Sequence, residues 1–294
     1  MGHRWGMMDT KADGGSRVWL VTGASGGLGR CLVERALEEG ERVLATTRRP
    51  TALGDLSGRF PGRIRVVELD VTEPDRVQAA VDEVVALWGR LDVVVSNAGC
   101  GLLGGLEECS RDQIQRNIAV NLMGPIDLMR VVLPVLRSRR SGHLIVIGAA
   151  AAISNYPGFA VYGGAKAAVE AVAESVRSEA SAYGVRVSVV QPGPLRTPFL
   201  RESLEAAGSS IQDYETTVGR FRSLLGRMDG RQPGDPVRAA SAIFGLSKEA
   251  NPPFRLVLGR YALEKSRKTL VARSAELEAW EAVAASVDFV RPTG

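Results

Sequence analysis

Residues 17–40 read RVWLVTGASGGLGRCLVERALEEG, and the order of chemistry along them decides the fold. Val18, Trp19, Leu20 and Val21 form a short apolar run, as expected of a strand buried on both faces. Glycines then recur in Thr22-Gly-Ala-Ser-Gly-Gly-Leu-Gly29, and helical periodicity runs from Arg30 to a stop at Gly40. A glycine-rich turn between strand and helix lets backbone approach a pyrophosphate closely, and the helix N-terminus favours an anion. Gly23, Gly27 and Gly29, spaced Gly-x-x-x-Gly-x-Gly, therefore predict a nucleotide-binding crossover.

The alternation continues outward from this unit. Strands are expected over 42–46, 64–69, 91–96, 143–147, 185–190 and 254–258. Helices are expected over 73–88, 111–139, 160–183, 236–246 and 263–285. Continuous Val/Ile/Leu runs separated by helices call for a parallel sheet covered on both faces. The fold class is α/β: a Rossmann-type doubly wound parallel sheet of about seven strands with helices on both faces. No linker or internal repeat divides residues 16–294, read as a single nucleotide-binding domain. Residues 1–15 are polar and glycine-bearing, lack the apolar core of a signal peptide, and read as a flexible lead-in.

Composition narrows the function. Of 294 residues, 45% are hydrophobic and 24% charged, ordinary for a soluble globular protein. The net charge of +4 is mild and no basic block interleaves with aromatics, which argues against a nucleic-acid partner. Cys31, Cys100 and Cys109 are odd in number and unpatterned, as expected of a reducing cytoplasm. With only His3 and His143, no histidine-based metal site is expected. No uninterrupted apolar run reaches the length of a membrane span, so no membrane partner is expected.

Strand two bears on the choice of cofactor. An NAD-preferring site places a carboxylate near its end for the ribose 2′-hydroxyl. Here the chain reads Ala45-Thr-Thr-Arg-Arg49. Arg48 suits a 2′-phosphate, and Thr47 can add a hydroxyl, so NADP(H) is expected.

A second stretch, HLIVIGAAAAISNYPGFAVYGGAK at residues 143–166, ends in Tyr162-x-x-x-Lys166. Four residues apart on a helix, the two side chains share one face. A cation about 5 Å from a phenol is worth roughly 3 kcal/mol at an effective dielectric of about 20. That lowers the phenol by about two units, towards proton transfer near neutral pH.

Together these residues resemble the short-chain dehydrogenase/reductase family over nearly all of residues 17–260. The matching pieces are the 22–29 loop, Asp70-Val71, Asn97-Ala98-Gly99, Asn121, Tyr162-x-x-x-Lys166 and Pro192-Gly-Pro-Leu-Arg-Thr197. The resemblance implies cofactor contacts from Gly23, Ser25, Gly27, Leu28, Gly29 and from Asp70, Val71, Asn97, Ala98 and Gly99. Pro192, Gly193 and Thr197 would hold the nicotinamide carboxamide. It also implies that Tyr162 exchanges a proton with the substrate oxygen, that Lys166 lowers its pKa and holds the nicotinamide ribose, and that Asn121 anchors a water. The expected activity is oxidoreductase, a ketoreductase moving hydride between nicotinamide and a ketone or secondary alcohol.

One position departs from that pattern. The family's serine, thirteen residues before the tyrosine, is replaced by Ala149, flanked by Gly148 and Ala150, and the nearest serine is Ser154. Removing one donor to a developing oxyanion typically loses a factor of about 10²–10³. Three accounts stay open: a reductase relying on Tyr162, redox-neutral chemistry (isomerase, epimerase, dehydratase or cyclase), or an inactive serine-to-alanine variant. Residues 198–236 hold an apolar stripe read either as core or as a lid over a bulky, partly apolar substrate. Family resemblance further implies a homodimer or homotetramer through helices 111–139 and 160–183, with the alanine-rich stretch 165–173 permitting close approach. The C-terminal helix is an alternative cover for those surfaces.

Overall fold

The structure is a computed structural model describing residues 15–289; apart from Gly15, the expected lead-in lies outside the described residues. Seven parallel strands form the main sheet: β1 (Val18–Thr22), β2 (Arg42–Thr47), β3 (Ile64–Glu68), β4 (Val93–Ser96), β5 (Gly142–Ile147), β6 (Val185–Pro192) and β7 (Arg255–Leu258). Their spatial order is β3-β2-β1-β4-β5-β6-β7. The chain winds one way from β1 and the other way from β4, so a crevice opens at the ends of these two strands.

The period of two along each strand divides the core. Leu44, Leu20, Val94, Leu144 and Val187 lie in register across five strands and all face one side. Helices Pro74–Trp88, Arg111–Ser138 and Ala160–Ser181 cover that side. Val21, Ala45, Val95 and Ile145 face the other, under helices Gly27–Glu38 and Pro236–Lys248. Arg111–Ser138 is long and apolar enough to span a membrane by composition. Leu128, Met129, Val132 and Leu136 are instead buried against the sheet.

Local differences from the sequence expectation have local causes. The first helix begins at Gly27 rather than Arg30, because two of the motif glycines form its first turn. The long helix contains a π turn, Ala119–Met123, which is invisible to a 3.6-residue period. Gly101–Leu103 pairs in parallel with Leu204–Ala206 as a separate two-stranded sheet. Within 198–236 the chain also forms helix Arg220–Met228. Of the alanine-rich 165–173 stretch, Ala165 and Ala173 are buried in their own chain, whereas Ala167 and Ala171 face outward.

Candidate active site

The glycine loop is held against the end of β4 by contacts that leave no room for side chains. Gly23 has φ +67°, and a Cβ there would stand 2.7 Å from Ala98 Cα. A Cβ on Gly29 would meet the Gly23 carbonyl and stand 2.5 Å from Asn97 Nδ2. That amide donates to the Thr22 carbonyl at 2.9 Å and the Gly23 carbonyl at 3.1 Å. The backbone N–H groups of Asn97 and Ala98 both donate to Thr22 Oγ1. Thr22, which the sequence reading did not single out, is thus the hub joining both loops.

The first helix starts behind Gly26, with no side-chain cap and no acidic residue in its first turn. Its leading amides lack a side-chain acceptor, and a Cβ on Gly26 would meet nothing within 4 Å. This open cradle fits a pyrophosphate. Ser25 is half-buried beside it, while the Leu28 side chain belongs to the core and leaves only its backbone. Thr197 closes on the loop from the other side, its Cβ 3.2 Å from where a Gly27 Cβ would stand. Pro192 ends β6, and Gly193 N–H donates to the Leu258 carbonyl at 2.8 Å.

At the far end of the crevice, Asp70 Oδ1 accepts from the Thr72 amide and hydroxyl at 3.0 and 2.8 Å. Burial opposes its ionisation, but these bonds and the charges of Arg48 and Arg76 prevail, holding it below the usual carboxylate range. Val71 is buried against Gly124. The two arginines after β2 differ. Arg49 is paired with Glu202 at 2.9 Å. Arg48 is exposed and carries no ion pair among the described residues. Thr47 Oγ1 accepts from the Arg49 amide at 3.0 Å.

Helix Ala160–Ser181 places Tyr162 and Lys166 on its inward face, both buried. Lys166 Nζ donates to the Ile147 carbonyl at 2.9 Å. A Cβ on Gly99 would lie 3.0 Å from Asn121 Oδ1 and 3.3 Å from Lys166 Nζ, so Gly99 is where these side chains meet. Asn121 sits in the π turn; its Nδ2 donates to the Cys100 and Asn117 carbonyls at 2.7 and 3.0 Å. Burial pushes the Cys100 thiol up, consistent with a packing residue rather than a nucleophile.

The electrostatics correct one expectation. Burial, with the nearby Cys100, pushes the Tyr162 hydroxyl well above its ordinary value rather than below it. Burial also lowers Lys166 to about 8, against the charges of Cys100 and Glu170. A partly desolvated ammonium bonded to a carbonyl is a weaker influence on the phenol than the simple Coulomb argument assumed.

Behind the lysine stands Glu170, one turn further along and missed in the sequence reading. Its Oε2 accepts from Gln191 Nε2 at 2.7 Å and lies 3.7 Å from Arg255 Nε. Its Oε1 is buried without a hydrogen-bond partner and would stand 2.6 Å from a Cβ on Gly148. Burial raises this carboxyl to about 7.

Ala149 packs in one buried cluster with Tyr162, Leu103, Ala151 and Phe159. The position is therefore beside the tyrosine but offers it no hydroxyl. Ser154 is exposed, in a cavity lined by the C-terminal helix. Phe199, Leu204, Phe221 and Leu225, from the 198–236 stripe, pack against that cluster, with Phe159 and Phe199 ring centroids 5.2 and 6.0 Å from Tyr162. A cavity of about 300 Å³ follows, lined by Leu103, Leu200, Leu204, Leu225, Arg222 and Asp229 among others.

A glycine cradle at the β1/β4 crevice, with a buried Tyr–Lys pair beside it, defines a nucleotide-dependent enzyme site. Residues 17–208 match the short chain dehydrogenase family, and the chain belongs to it as an oxidoreductase. Oxidoreductase BOA17 of Botryotinia fuckeliana is 34% identical, covering 90% of this chain and 97% of that protein. The NADP-dependent 3-hydroxy acid dehydrogenase YdfG of Escherichia coli O6:H1 is 33% identical, covering 68% and 82% respectively. A crystal structure of a short-chain dehydrogenase from Streptomyces avermitilis superposes with a TM-score of 0.89 at 36% identity. It covers 94% of this chain and 100% of that one.

Proposed function

We propose that this protein is an NADP(H)-dependent reductase of bulky, partly apolar ketones, running in reverse on secondary alcohols, with Tyr162 as the acid/base. The observation that supports this reading is the buried Tyr162–Lys166 face, with Lys166 beside Gly99 and with Phe199, Leu204, Phe221 and Leu225 of the 198–236 segment packed against the Tyr162 cluster. When bound, the nicotinamide supplies or accepts the hydride at the substrate carbon. Tyr162 donates its proton to the carbonyl oxygen as the C=O π bond becomes an O–H and a C–H bond. Burial keeps that phenol protonated, as reduction requires, and Lys166 stands one turn along on the same helix face. Asn121 sits in the π turn with its side chain beside Lys166, in keeping with the water-anchoring role that the family resemblance implies. Arg48, exposed where an NAD site carries an acid, favours a 2′-phosphate, in keeping with the NADP dependence in the YdfG relative's name.

The leucines of the cavity, with only Arg222 and Asp229 charged among its lining, and the aromatic residues of 198–236 support a partly apolar substrate and a covering role for that segment. Three unpaired cysteines support a reducing, cytoplasmic setting. Ala149 supports a second reading, redox-neutral isomerisation, epimerisation, dehydration or cyclisation on a bound nucleotide.

Absorbance of reduced nicotinamide, followed across a panel of apolar ketones, tests the proposal. NADPH should be consumed, and Tyr162→Phe should cost a factor of about 10²–10⁴ while NADPH still binds. Turnover without net change in NADPH would favour the redox-neutral reading. A Tyr162→Phe variant of undiminished activity would overturn both.

A further inference from the structure

The largest unexplained feature lies away from the site. Helix Arg260–Ala285 is 26 residues long, and of its side chains only Ala262 is buried. Its first half rests on the short helix Ala150–Ile153 and the loop that follows. Tyr261 Oη and Tyr156 Oη lie 3.0 Å apart, Lys265 Nζ lies 3.4 Å from the centre of the Tyr156 ring, and Arg273 Nη2 donates to the Ile153 carbonyl at 3.4 Å. From Leu270 to Phe289 every residue is exposed, including Leu270, Leu277 and Trp280 at 65%, 74% and 66%. Helices this long owe most of their stability to packing an apolar face, and contiguous exposed apolar surface marks an interaction site.

The pattern on the helix specifies what covers it. Leu263, Leu270 and Leu277 recur every seven residues, with Ala284 next in the series and Trp280 and Val287 alongside at heptad spacing. Charge is segregated along the same helix. Residues 260–273 carry Arg260, Lys265, Arg267, Lys268 and Arg273 against Glu264 alone. Residues 274–289 carry Glu276, Glu278, Glu281 and Asp288 with no basic residue. A parallel copy would set like charges side by side. An antiparallel copy sets the basic half of each helix along the acidic half of the other.

We infer that the C-terminal helix pairs antiparallel with the same helix of a second copy, making a homodimer through a surface separate from helices Arg111–Ser138 and Ala160–Ser181. Centred at the level of Ala275, this pairing sets Leu263 against Val287 and Leu270 against Trp280. Leu277 then lies over the aliphatic stem of Arg273, and Arg267 comes beside Glu281. Each first half stays seated on the helix that follows Ala149, so the interface is anchored next to the active site of each copy.

Charge-balancing variants test this in the full chain. Arg267→Glu with Lys268→Glu leaves residues 260–273 with three basic and three acidic side chains, and Glu278→Lys with Glu281→Lys leaves residues 274–289 with two of each. Neither variant alone keeps the opposite-charge pairing between the halves, whereas the acidic half of the first still matches the basic half of the second. All four side chains are exposed, so the core should keep its melting temperature. Light scattering after size exclusion should give the native chain as an even-numbered assembly and each variant alone at half that mass. An equimolar mixture of the two should return to the native mass. A monomeric native chain, variants that keep the native mass, or a mixture that fails to re-associate would each overturn the inference.

Discussion

On the proposed mechanism, replacing Ala149 with serine adds a second hydroxyl for the substrate oxygen beside that of Tyr162. Ala149 has φ −161° and ψ 156°, an extended backbone that any residue adopts, so the substitution brings no main-chain strain. Its Cβ lies in the same buried cluster as Tyr162, where a new Oγ can reach a carbonyl held by the phenol. One pre-organised donor at a developing oxyanion is worth about 2.7–4 kcal/mol, or about 10²–10³ in rate. Against this stands the loss of hydration of a hydroxyl at a position only 7% exposed, about 1–3 kcal/mol if no partner is found. Ala149 is also the N-cap of helix Ala150–Ile153, where a serine can accept from the helix amides, so the stability cost falls at the low end, near 1 kcal/mol. The expected outcome is kcat/KM for NADPH-dependent ketone reduction raised about 10²-fold. The melting temperature should fall by about 2–4 °C. Ala149→Val, which adds volume without a donor, should lose activity. Steady-state kinetics on the same ketone panel check all three. If Ala149→Ser gains nothing while Tyr162→Phe is inactive, the substrate oxygen is held elsewhere and the reasoning from the missing serine is wrong.

Three further outcomes follow from the geometry. Arg48→Ala should weaken NADPH binding by about tenfold, the low end for a charge-assisted bond at an exposed site, and leave NADH unchanged. Arg49→Ala, whose guanidinium is committed to Glu202, should leave the NADPH-to-NADH preference intact; calorimetric titration of both cofactors separates the two residues. Glu170→Gln removes a charge that opposes the lowering of Lys166, so Lys166 should deprotonate at lower pH. The alkaline limb of the kcat/KM profile, set by a lysine near 8, should then move down; an unmoved or raised limb would exclude this coupling. His143 is fully buried and held down to about 3 by burial and the nearby Arg186 and Arg17. Its folded-state pKa lies below the unfolded value of about 6.5, so its contribution to stability is complete above that value and falls as pH drops towards 3. Between pH 8 and pH 5 this amounts to about 2 kcal/mol. Urea unfolding across that range should show the loss, and His143→Val should flatten it.

The sheet and the close-packed glycine turn were legible because their signals are local. Strands buried on both faces must be apolar throughout, and Gly23 and Gly29 stand where a Cβ would strike Ala98 or the Gly23 carbonyl. Element ends were less legible. Gly27 reads as loop but begins a helix, and the π turn carrying Asn121 has no sequence period of its own. Glu170 escaped notice because a lone glutamate on a helix reads as a solvated face. Only the packing of Gln191 and Arg255 against it reveals a buried carboxylate.

From the sequence alone come the α/β winding order, the turn of helix that puts Tyr162 and Lys166 on one face, and the absence of a hydroxyl at 149. Each depends on residues within a few positions of one another. The tertiary structure decided which way the pair is biased. Lys166 binds the Ile147 carbonyl, Tyr162 is sealed among Phe159 and Phe199, and of two adjacent arginines Glu202 claims only Arg49. Those partners lie as many as 153 residues apart in the chain, and desolvation is set by everything that packs around a group. No local pattern carries that information.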